Sequence, residues 1–138
     1  MKLLLLGGPR FLGRAIADAA LAGGQELTFF NRGRTNPELY PEAEKLHGDR
    51  DGDLAALEGR SWDAVADTSG YLPHVVRASA EALARSGHYC FVSSISVYAD
   101  FSRPIDEDSE LAPLGDQPAG ELASDYSNYG ALKALCEQ

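Results

Sequence analysis

Hydrophobic and polar positions change period along this chain in a regular alternation. Lys2–Leu6 is a short leucine run closed by Gly7, the pattern of a strand buried on both faces. Leu12, Ile16, Ala19 and Ala20 then recur at helical spacing, and Gly23-Gly24 stops the helix. Glu26–Phe30 reads as a second strand and Lys45–His47 as a short third, followed by a weak helix over Asp51–Leu57. Trp62–Thr68 makes a fourth strand around Ala64-Val65-Ala66. Leu72, Val76, Ala80 and Leu83 form a helical stripe, with Pro73 suited to a first turn. His88–Ser93 is a fifth strand. Residues 99–124 lose any period and fill with proline, glycine and acids, which predicts a long irregular loop. A last helix is expected from about Asp125, whose carboxylate is suited to cap it.

Buried strands alternating with helices imply an α/β fold: a parallel, doubly wound sheet with helices on both faces. Right-handed crossovers give the expected strand order 3-2-1-4-5, with ligand at the carboxyl ends of the strands where the order reverses. The 138 residues suit one domain, residues 1–138, and a hydrophobic content of 44% is ordinary for a globular protein. Cys90 and Cys136 show no metal spacing, and Cys90, in the run Tyr89-Cys90-Phe91-Val92, reads as a buried small hydrophobe. A reducing, cytoplasmic setting is the simplest reading. Leu3–Leu6 is too short for a signal peptide or a membrane span.

Charge changes the picture. Net charge is −9, yet residues 1–36 carry +3 through Lys2, Arg10, Arg14, Arg32 and Arg34 against Asp18 and Glu26. An acidic protein with one basic corner suits a small anionic ligand better than a polyanion, so general nucleic-acid or anionic-membrane binding is disfavoured.

Chemistry is concentrated in three places. The turn Gly7-Gly8-Pro9-Arg10-Phe11-Leu12-Gly13 joins a strand to a helix, a geometry in which backbone N–H groups and a helix N-terminus can face a pyrophosphate. Its plain alternative is a tight connection without a ligand. The second strand ends Asn31-Arg32-Gly33-Arg34, with none of the carboxylates an NAD ribose would want and two guanidinium groups that suit a 2′-phosphate. Two solvated arginines are the alternative there. Tyr129 and Lys133 are four apart, one above the other on a helix, so the ammonium can hold the phenol's pKa down for proton exchange near neutral pH. An exposed surface pair is the alternative for these two.

Together these residues resemble the N-terminal part of the extended or atypical short-chain dehydrogenases/reductases, in the NAD(P)-dependent epimerase/dehydratase group. That family's turn is Gly-x-x-Gly-x-x-Gly. Gly7 and Gly13 match its outer glycines and Phe11-Leu12 its apolar pair, while Arg10 stands in place of the middle glycine, with Gly8 before it. Phe91-Val92-Ser93-Ser94-Ile95-Ser96-Val97-Tyr98 resembles the family's fifth-strand signature, and Tyr129 and Lys133 match its Tyr-x-x-x-Lys pair.

The resemblance implies a nicotinamide cofactor, NADP rather than NAD, held by Gly7, Gly8, Arg10, Phe11, Leu12, Gly13, Asn31, Arg32 and Arg34. It implies that Asp49 meets the adenine amino group and that Ser69 and Gly70 lie along a ribose. It makes Tyr129 the general acid/base, Ser94 the holder of the substrate oxygen, and Lys133 both a ribose ligand and the group that tunes the phenol. The expected reaction is hydride transfer on a small carbonyl or sugar-like substrate by a reductase, epimerase or dehydratase. No metal is expected. The alternatives are a non-catalytic NADP-binding regulator and an RNA-binding member of the atypical group, since the turn and Asn31-Arg32-Gly33 also resemble chloroplast stem-loop-binding proteins. The C-terminal part of the family fold is not in these residues, so the expectation is a chain truncated before a substrate domain, with weak or no activity alone. Helices 72–85 and 126–138 are candidate surfaces for a homodimer.

Overall fold

The computed structural model describes residues 1–138. Five strands form one parallel sheet: β1 (Lys2–Leu6), β2 (Glu26–Asn31), β3 (Glu44–His47), β4 (Ala64–Asp67) and β5 (Tyr89–Phe91), in the order β3-β2-β1-β4-β5. This is the predicted fold and strand order. Three α-helices accompany them: α1 (Phe11–Ala22), α2 (Pro73–Ala82) and α3 (Tyr129–Cys136). By packing the chain divides into two compact units, residues 1–69 with 78–92, and residues 70–77 with 93–138. No helix is long and apolar enough to cross a membrane.

The first unit holds the sheet. Side chains of β1 alternate between its two faces, as the two-residue strand period requires. Leu3 and Leu5 pack with Ala17 and Ala20 of α1, Leu27, Phe29 and Ala43 on one face. Leu4 and Leu6 pack with Phe30, Leu57, Trp62, Val65 and Leu83 on the other. A strand with both faces covered must be apolar at every position, which explains the unbroken leucines. The helix that follows ends at Ala22, with Gly23 as its C-cap.

At the amino ends of the strands, Trp62 donates its indole N–H to Thr28 Oγ1 (3.2 Å), and Thr28 donates to Glu44 (3.1 Å). Arg60 pairs with Glu44 at 2.5 Å and lies 5.2 Å from the centre of the Trp62 ring. The Arg60 hydrogen bond holds the Glu44 carboxyl below the ordinary carboxylate range, against an opposing push from burial.

Three expectations are corrected. Cys90 is exposed, not buried. It lies on the edge strand β5, where Tyr89 packs against the Trp62 cluster and strand alternation sends Cys90 to the other face. The helix expected over Asp51–Leu57 shrinks to a 3-10 turn at Ala55–Leu57. Asp49 takes the preceding residues into a turn instead, accepting from Asp51 N at its side chain and from Asp53 N at its carbonyl. The last helix begins at Tyr129, not near Asp125. Asp125 spends its carboxylate on Ser127 N (3.0 Å), and Tyr126 turns the chain with φ of 61°.

In the second unit, the irregular loop predicted over 99–124 runs on to residue 128, and an isolated bridge joins Leu111 to Tyr98 just before it. Asn128 anchors its end. It is 1% exposed, and its amide accepts from Ala123 N and donates to the carbonyls of Glu121 and Pro118.

Candidate functional site

In the first unit the turn after β1 is built by backbone that only glycine tolerates. Gly7 has φ of 126°, and a Cβ there would stand 2.8 Å from Thr68 Oγ1. At Gly13 a Cβ would stand 2.6 Å from the Gly8 carbonyl, so the helix can start this close to the turn only without a side chain. Arg10 occupies the N-cap of α1 in extended conformation, its side chain exposed. Phe11 follows with φ of 40° and is 96% exposed, and Leu12 is exposed beside it.

Long-range hydrogen bonds fix this turn from both sides. Gly7 N donates to the Phe30 carbonyl (3.1 Å), and Asn31 Nδ2 donates to the Gly7 carbonyl (3.1 Å). Asn31 Oδ1 accepts from Gly33 N (2.7 Å), so one side chain joins the glycine turn to the loop carrying Arg32 and Arg34. Both arginines are exposed and neither enters an ion pair. From the other side, Thr68 Oγ1 and Ser69 Oγ donate to the Leu6 carbonyl, at 3.1 and 3.3 Å. Asp49 is exposed, one oxygen committed to its own turn.

The sheet's carboxyl edge also contains a buried network that the sequence reading missed. Arg50 and Asp67 form a bidentate pair, Nη1 to Oδ1 and Nη2 to Oδ2, each 2.6 Å. Asp67 is fully buried and the Arg50 side chain is 10% exposed. Arg50 also donates to Ser79 Oγ (3.0 Å) and Ser69 Oγ (3.2 Å), and Tyr89 donates its hydroxyl to Asp67 (2.8 Å). Burial, then the charge of Asp67, raises the Tyr89 phenol far above its ordinary pKa. The available signal was Asp67 itself, a carboxylate closing an apolar strand, which requires a cation from elsewhere in the chain.

The second unit holds the remaining predicted residues. Ser94 caps the 3-10 turn Ile95–Val97, accepting from Ser96 N (3.2 Å) and donating to Ser96 Oγ (3.2 Å). The neighbouring Ser93 Oγ is buried without a partner. Tyr129 is the first residue of α3 and half-buried, and the α3 start packs against the Ser94–Val97 turn. Gly130 makes that approach: a Cβ there would collide with the Ser96 carbonyl. Lys133 is 3% exposed and donates to the Gly70 carbonyl (2.8 Å). Its ammonium lies 6.0 Å from the centre of the Tyr71 ring, which is tilted against Tyr129 at 6.3 Å. Gly70 is buried. The structure thus gathers Ser94, Tyr129, Lys133 and Gly70 into one unit, and the glycine turn, Asn31, Arg32, Arg34, Asp49 and Ser69 into the other.

Solved structures share this architecture. A short-chain dehydrogenase/reductase superfamily protein from Agrobacterium tumefaciens, with bound NAD, superposes on 99% of the chain with a TM-score of 0.72 and 22% identity. The chain shares the Rossmann-type fold of that protein, a five-stranded parallel sheet in the order β3-β2-β1-β4-β5. A UDP-galactose 4-epimerase matches over 99% of the chain with a TM-score of 0.73 and 22% identity. A UDP-N-acetylglucosamine 4-epimerase from Bacillus cereus matches over 99% with a TM-score of 0.67 and 22% identity. The chain spans 43%, 49% and 48% of these three proteins respectively. Among curated proteins, the chloroplast stem-loop binding protein of 41 kDa b from Arabidopsis thaliana is 28% identical over 118 residues, covering 70% of this chain and 30% of that protein. No protein-family model matches.

Proposed function

We propose that the chain is the nucleotide-binding part of an NADP-dependent oxidoreductase or epimerase of the short-chain dehydrogenase type, acting on a small carbonyl or sugar-like alcohol. The observation that carries this reading is the glycine turn, narrowed until no Cβ fits at Gly7 or Gly13, beside two uncommitted arginines at the end of β2. The donor set fits a phosphorylated dinucleotide. Backbone N–H groups at the start of α1 suit a pyrophosphate, and Arg10 adds a cation. Arg32 and Arg34 suit a 2′-phosphate. Asn31 stands where an NAD site would place a carboxylate, and its amide is already spent on the Gly7 carbonyl and Gly33 N. Asp49, with one carboxylate oxygen uncommitted, accepts from the adenine amino group in this reading.

In the second unit, Tyr129 exchanges a proton with the substrate oxygen, Lys133 supplies a buried cation on the same helix, and Ser94 donates to the same oxygen. The nicotinamide, when bound, supplies the hydride acceptor and donor. The solved relatives support the choice of cofactor class, since the Agrobacterium protein holds NAD.

Titration of NADPH and NADH against the chain tests the cofactor. NADPH is expected to bind more tightly, and Arg32→Ala to lose roughly tenfold in NADPH affinity while leaving NADH unchanged. Equal affinities in both proteins would remove the 2′-phosphate assignment. For the chemistry, Tyr129→Phe should retain NADPH binding and lose turnover by about 10²–10⁴-fold. Undiminished turnover would remove Tyr129 from its role.

A further inference from the structure

Arg50 donates to three residues at the sheet's carboxyl edge, Asp67, Ser69 and Ser79. It follows β3, forks onto Asp67 at the end of β4, and donates to Ser69 beyond that strand and to Ser79 in α2. Tyr89 of β5 joins through Asp67. A buried ion pair of this kind is weak as a device for stability alone, because desolvation offsets much of its attraction. What the pair supplies is direction. The guanidinium plane, fixed by the two Asp67 oxygens, aims the outer N–H of Nη1 at Ser69 Oγ. Ser69 N donates to Asp67 Oδ1 at 3.1 Å, so the backbone and side chain of this residue are both set by the pair. Ser69 Oγ in turn donates to the Leu6 carbonyl, the last group of β1 before the glycine turn. Its side chain also defines the wall that Gly7 faces, since a Cβ at Gly7 would stand 3.1 Å from Ser69 Oγ.

We propose that Arg50 is the positioning residue of the glycine turn, acting through Ser69 on the Leu6–Gly7 backbone, so that the dinucleotide meets a turn already in its binding shape. This rests on the proposed function for the identity of the ligand, and on hydrogen-bond geometry alone for the turn. A lysine at position 50 supplies charge without the fork, so it cannot hold Asp67 and Ser69 together.

The test is a double-mutant cycle of Arg50→Met and Ser69→Ala, with two readouts. The first is amide hydrogen exchange at Gly7 and Gly8, which needs no ligand. Both single variants should accelerate it while the interior amides of β1 and α1 stay protected. The second is NADPH affinity, expected to fall roughly tenfold in Arg50→Met and to fall no further in the double variant, because both changes cut one relay. Should Arg50→Met leave Asp67 buried without its cation and prevent folding, the charge-neutral pair Arg50→Met with Asp67→Asn takes its place in the cycle. Unchanged exchange at Gly7 and Gly8 overturns the proposal, and so do losses that multiply in the double variant. Rescue by Arg50→Lys to wild-type exchange also overturns it, since charge alone would then suffice. If the wild type ignores NADPH and NADH at millimolar concentration yet exchange accelerates as expected, the proposed function falls and the role of Arg50 stands.

Discussion

The carboxyl edge of the sheet and the segment 99–128 are both irregular chain, yet they are ordered by different means. At the edge, each turn is tied to residues remote in sequence: Asn31 to Gly7, Arg50 to Asp67, Thr68 and Ser69 to Leu6. In the segment the side-chain bonds are local. Asp100 holds Ser102 N, Ser109 and Asp106 hold each other, Asp125 holds Ser127 N, and Asn128 gathers residues 118 to 123. Remote ties order a turn only once the sheet is assembled, so the edge shares the stability of the whole sheet. Local ties order short stretches independently and leave each free to open by itself.

The contrast can be broken at its strongest point first. Asp67→Asn leaves the Arg50 guanidinium buried without its counter-charge and is expected to cost about 3–5 kcal/mol. Urea unfolding measures the loss, and a value under 1 kcal/mol would show that the edge is not held by this pair. Next, Asn128→Ala strands Ala123 N and two carbonyls and is expected to cost about 1–3 kcal/mol. Its signature should be local: exchange rises over residues 118–128 and leaves the amides of β1 and β4 protected. Loss of protection in those strands would erase the distinction between the two regions.

The smallest effect concerns the amino ends of the strands and pH. Arg60 lowers the folded-state pKa of Glu44 below its ordinary value of 4.5. Between those two values the unfolded chain binds more protons than the folded one, so stability declines as pH falls through this window. The contribution is complete above the ordinary carboxylate range and gone below the lowered pKa. With the Glu44 side chain 46% exposed, it amounts to under about 1 kcal/mol. Glu44→Gln should flatten the acid limb of the stability profile from the ordinary carboxylate range downward; an unaltered limb would show that other carboxylates set it.

The sheet was legible because its information is local. A leucine run covered on both faces, a glycine at its end and a helical stripe after it leave little freedom, and β1, α1 and the strand order followed. The turn between β1 and α1 and the helical setting of Tyr129 and Lys133 were legible for the same reason. Arg50 and Asp67 were not, because their pairing exists only once β3 and β4 are registered through β2 and β1. The start of α3 was misplaced because Asp125 meets the composition rule for a cap, while Tyr126 in a left-handed conformation delays the helix. Gly130 lies between Tyr129 and Lys133, yet the reason for a glycine there, the Ser96 carbonyl, is visible only in three dimensions.

Phe11 carries a consequence for how this chain would respond to selection. Its backbone sits in a region that a phenylalanine enters at a cost of about 1–3 kcal/mol, while its ring is left in water. Glycine at this position would relieve that strain at once. A library screened only for survival on heating should therefore drift toward glycine at 11, whereas one screened for capture of a nucleotide should keep an aromatic or aliphatic residue there. Position 11 would then register which of the two demands the chain has been answering.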